Sequence, residues 1–516
     1  MHKVLPYLVL LVLSACMVAL PALRINPVNI NSDVFQYLSL ANYYLYFDAT
    51  QVRDAFTVGP VIPALLFCLK WFALKWFSWS AQLDITLVCF VSFLSYSTIA
   101  MSLLFISQKR GVPTVIGILL SSLFLFFLPW DSEALSPNGE LVSSAFICIA
   151  LACYFGASTF SYKRLTVIAL LILAAFFTKV QSLPILVLCI YCFGMPNKSK
   201  GQLIAICLFI GAIIEGFLYT HGGGLIYHFT ELAGYTAGQS MGKIEYVKQI
   251  LARLAWIFDG TVRFFPMLLW IALTQLFLGV AKPAESNANS FRFSLFWLWY
   301  SICFLTAFLP NRFFPHYFLF FIPLVVLFSA DSAARLLALS SNTINHSTKH
   351  YIIIIFILGL AILKMVQVLP MQQSLLSSKT FYTPFTLSPQ TEKVQTLLNA
   401  KGDNFYVHGW DYRYYGYLNK GFAGEPHLYS VQQNFQSPQA YLNDLLKLSP
   451  QYILDVVEHS GFIRGADWRL TQNGAWAKTF MQCYTPIYDE AGLRLYERKN
   501  PLPRDCQPLA VSPNKP

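Results

Sequence analysis

Asn31-Ser32-Asp33-Val34-Phe35-Gln36-Tyr37 is the most informative stretch of this chain, because it places a carboxylate where the chain leaves its first hydrophobic segment. Residues 4–23 are apolar and long enough to cross a bilayer once. The next clear membrane-spanning run begins only at residue 83, so the first loop, 24–82, is long. An acid at the boundary between water and lipid suggests chemistry on a substrate that is delivered from the membrane.

The composition is that of a membrane protein. Apolar residues make up 56% of the chain and charged residues 12%, far from the balance of a soluble domain. Hydrophobic length predicts about eleven transmembrane helices, at 4–23, 83–106, 112–129, 140–158, 165–179, 181–195, 202–220, 264–281, 293–309, 317–337 and 351–370. The alternating pattern of a membrane barrel is absent. The predicted fold class is therefore an α-helical polytopic membrane protein.

The basic residues predict the orientation. With a cytoplasmic N-terminus, alternate loops carry basic residues such as Lys109-Arg110, Lys163-Arg164 and Arg335. The opposite short loop, 129–140, contains acids and no basic residue, which is a consistent positive-inside pattern. The net charge of +11 is mostly a signal of topology, and we expect no nucleic-acid partner because no basic–aromatic stripe or nucleic-acid motif is present.

The tail after the last predicted span differs in kind from the rest. It is polar, and it contains strand patterns at 404–408 and 452–456 and helix patterns at 390–400 and 438–448. With an odd helix count it lies on the outer face. We predict a transmembrane domain over 1–371 and a small outer α/β domain over 372–516. Cys483 and Cys506 lie in that tail and could form a disulfide in an oxidising compartment, although spacing alone does not show it.

Two acids are candidate catalytic residues. Asp33 either caps a helix over 34–47, with Gln36 completing a capping box, or acts as a general base. The two roles are compatible, since a cap fixes the direction of the carboxylate. Glu140 opens the fourth span, where it either interacts with the helix N-terminus or serves as a second acid on the face that holds Asp33.

Several basic and polar residues are candidate ligands for an anion. Lys179 and Gln181 interrupt a long hydrophobic stretch before Pro184, as the tip of a re-entrant hairpin would. A lysine at that depth fits an anionic ligand better than it fits packing. Arg312, His316 and Tyr317 lie in an aromatic run at an outer membrane edge, where the aromatic residues alone would suit an interfacial belt. Arginine beside histidine supplies donors for a phosphate.

A further apolar run, 61–77, follows Gly59-Pro60 in the first loop. It carries Lys70 and Lys75 among many aromatic residues. We expect it to lie in the membrane interface, because both lysines can extend their ammonium groups towards water.

In this order along one topology, these features resemble the GT-C superfamily of polytopic glycosyltransferases. The resemblance is to the bacterial relatives of protein O-mannosyltransferases, the lipid A aminoarabinose transferases and the rhizobial core galacturonosyltransferases. It covers roughly residues 1–340 and rests on Asp33, the Gly59-Pro60 segment, Glu140, Thr178-Lys179 and the Arg312–Phe318 run. The segment Val407–Tyr412 also looks like part of the soluble domain that many such enzymes carry.

The resemblance implies a sugar donor linked to a polyprenyl phosphate, an active site on the outer face of the bacterial cytoplasmic membrane, and inversion at the anomeric carbon. Asp33 would deprotonate the acceptor hydroxyl. Lys179, Arg312 and His316, with Gln181 and Tyr317 nearby, would bind the departing lipid phosphate. Val34 stands where many relatives have a second acid, and the Glu-Lys pair of some aminoarabinose transferases is missing near Val58-Gly59, which puts aminoarabinose itself in doubt.

Other functions stay open at this point. A transporter or flippase for a lipid-linked sugar, an O-antigen ligase or polymerase, and a non-enzymatic assembly protein would each use some of these features. The acceptor is a glycolipid, a glycan, a second polyprenyl lipid or a protein hydroxyl. No cofactor is implied with certainty, and a divalent metal is left open because one Asp and a distant Glu do not specify a metal site.

Overall fold

A computed structural model describes most of the helical part of the chain and the strands of its tail. The described residues are 4–19, 32–46, 59–127, 136–220, 293–308, 315–339, 387–398, 405–408, 412–420, 450–456, 480–490 and 492–501, with single positions elsewhere. The chain divides into two compact units. The first unit comprises Met1–Ile30, Cys89–Ile213 and Met241–Thr383, and the second comprises Asn31–Val88, Ile214–Ser240 and Pro384–Pro516.

Apolar helices make up the described part of the first unit. Those wholly within it are α1 (Leu5–Ser14), α5 (Thr114–Phe127), α6 (Gly139–Phe155), α7 (Tyr162–Thr178), α8 (Leu183–Cys192), α10 (Phe293–Phe308) and α11 (Ile322–Leu339). The division between the units falls within α4 (Ala81–Lys109) and α9 (Asn197–Thr220). A π-helical turn, Ala15–Ala19, extends α1, and the 3₁₀ helix Pro315–Phe321 leads into α11. Because α11 is apolar on nearly every side, its residues fill the centre of a continuous hydrophobic core.

Among the residues that the structure describes, three helices are long and apolar enough to cross a bilayer: Ala81–Lys109, Asn197–Thr220 and His316–Ala338. Most of the other predicted spans correspond to shorter apolar helices, with ends shifted by a few residues. The predicted spans 264–281 and 351–370 lie almost entirely outside the described residues. The total of eleven therefore stays a prediction.

A buried acid in the first unit pairs with two arginines. Asp331 in α11 is 1% exposed and lies 3.0 Å from Arg335 and 3.6 Å from Arg110. The guanidinium of Arg110 also lies over the ring of Phe155, 4.8 Å from its centre. The positive-inside pattern of the sequence assigns both arginines to the cytoplasmic side. Their pairing with the same carboxylate is consistent with both lying on one side of the membrane.

The second unit contains a mixed four-stranded sheet. Its strands are β1 (Phe405–His408), β2 (Tyr452–Val456), β3 (Tyr484–Glu490) and β4 (Leu493–Arg498), in the order β1-β2-β4-β3. β1 and β2 are parallel, and the other two pairs are antiparallel. Helix α12 (Pro389–Leu397) begins after Ser388, whose hydroxyl accepts from the amide of Thr391 at 3.2 Å.

Cys483 and Cys506, which sequence alone left unassigned, form a disulfide in the second unit. Both cysteines are buried. Near them, the hydroxyl of Tyr484 donates to the carbonyl of Pro450 at 2.9 Å, and burial raises the pKa of this tyrosine.

The same unit contains helices from the predicted first loop. These are α2 (Ser32–Tyr46) and α3 (Val61–Ala73), which pack against each other, and α2 also packs against α13 (Arg413–Tyr417). Helix α2 starts before Asp33, so the expectation that Asp33 precedes the helix as its cap is wrong; the residue belongs to the first turn. The predicted boundary near residue 372 lies outside the described residues.

Gly416 marks the closest approach of α13 to α2. A Cβ atom at this position would lie 2.9 Å from the ring of Phe35 and 3.0 Å from a methyl group of Leu38. Both neighbours are fully buried, so neither has open space into which it can move. The absence of a side chain is therefore what lets the two helices pack.

We expect Gly416→Val to lower the thermal unfolding midpoint of the detergent-solubilised protein, because overpacking a closed contact costs about 1–3 kcal/mol. Gly216→Val is the matched control, since a Cβ atom there meets nothing within 4 Å. Equal unfolding midpoints for the two variants would contradict this expectation, because α2 and α13 would then accommodate the added side chain without loss of stability. Fluorescence-detected thermal unfolding measures both.

Candidate functional site

A buried ion pair marks the candidate site in the first unit. Glu140, in the first turn of α6, is 1% exposed, and its carboxylate lies 3.0 Å from the ammonium of Lys179. The side chain of Lys179 is 25% exposed, so the pair is not sealed off from its surroundings on the lysine side. The structure thus brings together two residues that the sequence placed on the same face.

Lys179 stands at a break in the helical backbone, as the sequence predicts. α7 ends at Thr178, Lys179 is extended with φ −153° and ψ 106°, and a 3₁₀ turn over Val180–Ser182 leads into α8. Pro184 lies in the first turn of α8, where its missing N–H is not needed. The break directs the lysine side chain away from the helix axis and towards Glu140.

Hydrogen bonds stabilise this break. The carbonyl of Ala175, near the end of α7, accepts from the amide of Lys179 at 3.1 Å and from the hydroxyls of Ser143 at 3.0 Å and Ser182 at 3.4 Å. A carbonyl in the last turn of a helix otherwise lacks a full set of partners. Because the donors come from α6 and from the turn after α7, the bonds hold Lys179 in place relative to Glu140.

His316 and Tyr317 lie in the 3₁₀ helix before α11, and both are buried. His316 is close enough to interact electrostatically with the carboxylate of Glu140. Its ring meets that of Tyr317 edge to face at 4.7 Å. The hydroxyl of Ser144 in α6 donates to the carbonyl of Leu319 at 2.9 Å, which ties the 3₁₀ helix to the helix that carries Glu140.

The remaining predicted site residues are described less completely. Gln181 is half-buried, and its side-chain oxygen has no hydrogen-bond partner within the part of the chain that the structure describes. Arg312 lies outside the described residues. Asp33 belongs to α2 in the second unit, and only its backbone is described.

A second buried polar cluster, which the sequence does not predict, lies in the second unit. Lys70 in α3 is fully buried and pairs with Asp84 at 2.8 Å, so the expectation that its ammonium extends to water is wrong. It also donates to Asn42 and Asn419. The lysine gains three acceptors inside the unit, which replace the water it would otherwise reach. The only sequence signal was a lysine in an apolar run, and an interfacial lysine gives the same signal.

The arrangement in the first unit suits the binding of an anion at a membrane interface. A lysine ammonium oriented by a buried carboxylate, with an imidazole nearby, places donors at one spot where water access is limited. No group of three or more His, Cys, Asp or Glu side chains that could hold a metal ion occurs within the described ranges.

Comparisons with known proteins identify the fold. No protein-family model and no curated protein sequence matches the chain. Among solved structures, ArnT from Cupriavidus metallidurans in the apo state aligns with a TM-score of 0.53 and 12% identity, over 95% of this chain and 97% of that one. The same protein bound to undecaprenyl phosphate aligns with a TM-score of 0.50 and 13% identity, over 96% and 97%.

An oligosaccharyltransferase from Archaeoglobus fulgidus, in complex with Zn and sulfate, aligns with a TM-score of 0.51 and 11% identity, over 97% of this chain and 74% of that one. At such identities the likeness shows the fold alone. The chain shares the fold of these solved structures, which agrees with the GT-C resemblance of its sequence, and with its long apolar helices it is a multi-pass membrane protein.

Proposed function

We propose that this chain, with its GT-C fold, is a membrane glycosyltransferase that moves a sugar from a polyprenyl-phosphate-linked donor to an acceptor hydroxyl. Transfer takes place on the outer face of the bacterial cytoplasmic membrane and inverts the anomeric carbon. The observation that carries the proposal is the Glu140–Lys179 ion pair with His316 beside it. A polyprenyl donor cannot leave the bilayer, so its phosphate has to meet ligands at helix ends.

Charge appears on the lipid phosphate when the bond to the sugar breaks. Hydrogen-bond donors that already point at the phosphate oxygen released from the sugar lower the barrier to transfer, because they need no reorganisation during the reaction. Lys179 supplies such donors from a position that Glu140 and the helix break hold in place. His316, Arg312, Gln181 and Tyr317 complete the proposed phosphate site.

Asp33 is the proposed base. Its carboxylate accepts the proton of the acceptor hydroxyl, and the freed oxygen attacks the anomeric carbon from the face opposite the phosphate. The bond between sugar and phosphate breaks, and its electron pair leaves with the polyprenyl phosphate. For Glu140, the ion pair favours orienting Lys179, and its role as a second acid stays a prediction.

Two observations support the outer face as the location of the second unit. Disulfides persist in oxidising compartments and are rare in the cytosol, and Cys483–Cys506 is a buried disulfide. The positive-inside pattern independently assigns this part of the chain to the outer side.

We expect Cys483→Ser/Cys506→Ser to lower the unfolding midpoint, since a disulfide that closes a loop of 23 residues contributes about 3 kcal/mol. Alkylation of the denatured protein, with and without prior reduction, followed by mass spectrometry should label both cysteines only after reduction. Cys16 and Cys68, both free thiols, serve as the positive controls because they are labelled without reduction. Free thiols at 483 and 506 in the native protein would contradict the assignment.

The function itself is tested by mass spectrometry of envelope glycolipids from cells with and without the protein. If the protein is a transferase, one glycolipid mass should be lost when the gene is deleted and should return when the gene is restored. Purified protein in detergent then separates the classes. A transferase releases free polyprenyl phosphate from the donor there, whereas a flippase needs two membrane faces and releases none. Donor that stays intact with every acceptor extract would overturn the proposal.

A further inference from the structure

The ammonium of Lys70 has an acceptor for each of its N–H groups. The side-chain oxygens of Asn42, Asp84 and Asn419 lie 2.5, 2.8 and 2.9 Å from it. Asn42 belongs to α2, Asp84 to the first turn of α4, and Asn419 follows α13. Lys70, itself in α3, therefore joins α2 and α4 to the C-terminal tail. We call Lys70 and these three acceptors the Lys70 network.

The network extends beyond the lysine. The side-chain amide of Asn42 donates to the carbonyls of Lys420 at 3.1 Å and Tyr415 at 3.5 Å, so α2 is bonded to the tail twice. The indole of Trp79 donates to the carboxylate of Asp84 at 3.1 Å. Asn42, Lys70, Asp84 and Asn419 are all buried, which means that water does not compete for these bonds.

Stability alone does not explain such a network. Apolar side chains of similar volume would hold the same segments about as firmly, because burying an ion pair costs as much as its attraction returns. A buried, hydrogen-bonded charge is more selective than apolar side chains. Any arrangement that moves its partners away leaves the charge buried and unpaired, so only one arrangement of the partners is stable. The network therefore selects a register of α2 against the tail.

Asp33 lies on the same helix as Asn42, nine residues earlier, or about 13 Å along the axis at 1.5 Å per residue. Between the two, Phe35 and Leu38 face the close contact at Gly416. The ring of Phe35 also meets that of Tyr417 edge to face at 6.0 Å. A shift of α2 at Asn42 would thus move the start of the helix.

We propose that the Lys70 network is a positioning device, in which the C-terminal tail holds α2 in one register and so determines where the carboxylate of Asp33 stands during sugar transfer. The inference rests on the proposed function of Asp33. Lys70, Asn42 and Asn419 act through Asp33 and touch no substrate in this scheme.

Asn419→Gly tests the device with little disturbance of the backbone. Asn419 has a φ of +52°, which glycine adopts without strain, so the variant removes only the side chain that links the tail to Lys70. At equal amounts of folded protein, we expect faster deuterium uptake in residues 34–46 and at least a tenfold lower yield of the glycolipid product. Binding of undecaprenyl phosphate should change less than about twofold, because the proposed phosphate ligands lie elsewhere in the chain.

A charge relocation provides the rescue. Asp84→Asn leaves Lys70 buried without a carboxylate, and we expect loss of product. Asp84→Asn/Asn419→Asp moves the carboxylate across the network and leaves its net charge unchanged, so product should return to within about threefold of the wild type. Lys393→Gln, which breaks an exposed ion pair in the same unit, is the control and should change neither uptake nor product.

The outcomes are separable. Unchanged uptake in Asn419→Gly, or faster uptake with unchanged product, overturns the positioning device. Failure of the relocated carboxylate to restore product also overturns it, because the network would then need Asp84 itself. The proposed function fails on a different result, namely donor that stays intact when the wild-type protein is incubated with every acceptor extract.

Discussion

Asp33→Asn is expected to lower the rate of sugar transfer by about 10²–10⁴-fold, with normal expression and an unchanged unfolding midpoint. Asparagine has the shape of aspartate but cannot take the proton of the acceptor hydroxyl. Without a base the attacking oxygen stays protonated, and the sugar–phosphate bond has no competent nucleophile. The product yield, measured by mass spectrometry in cells that carry only the variant, reports the loss.

Asp489→Asn is the matched control for this experiment. It removes the same charge from an exposed site in the same unit, where the pair with Arg494 is largely hydrated. We expect wild-type product from it. Wild-type product from Asp33→Asn as well would remove Asp33 from the mechanism, because the next residue in the sequence, Val34, cannot replace it as a base.

The second large effect is expected for Lys179→Gln. Loss of the ammonium should lower product at least 100-fold and weaken binding of undecaprenyl phosphate, because the departing phosphate loses a preorganised donor. The variant also leaves Glu140, 1% exposed, without its partner, and an uncompensated buried charge costs about 3–5 kcal/mol. The single variant therefore confounds folding with chemistry.

Lys179→Gln/Glu140→Gln separates the two effects. Both charges disappear together, so we expect the unfolding midpoint to recover while product and lipid phosphate binding stay low. Recovery of product in the double variant would show that the ion pair only supports the fold. A hydrogen-bonding lysine is then not needed for transfer, and the phosphate site has to be sought elsewhere.

The two buried lysines show how far sequence reasoning reaches. Lys179 was predicted as a site residue because it interrupts a hydrophobic stretch at a helix break, and Pro184 marks that break locally. Its partner Glu140 was predicted for the same face from the alternation of charged loops. Lys70 gave a weaker signal, since an interfacial lysine and a buried one look alike in an apolar run. Its acceptor Asn419 is 349 residues away.

The membrane class, the alternation of the loops, the break at Lys179 and the GT-C resemblance can all be predicted from the sequence. These follow from hydrophobic length, charge and proline, which act over a few neighbouring residues. Two features are visible only in the folded chain: the first-loop helices share a unit with the tail, and Lys70 is paired rather than hydrated. The reason is physical: a buried charge takes whichever acceptors packing places around it, and those come from segments far apart in the chain.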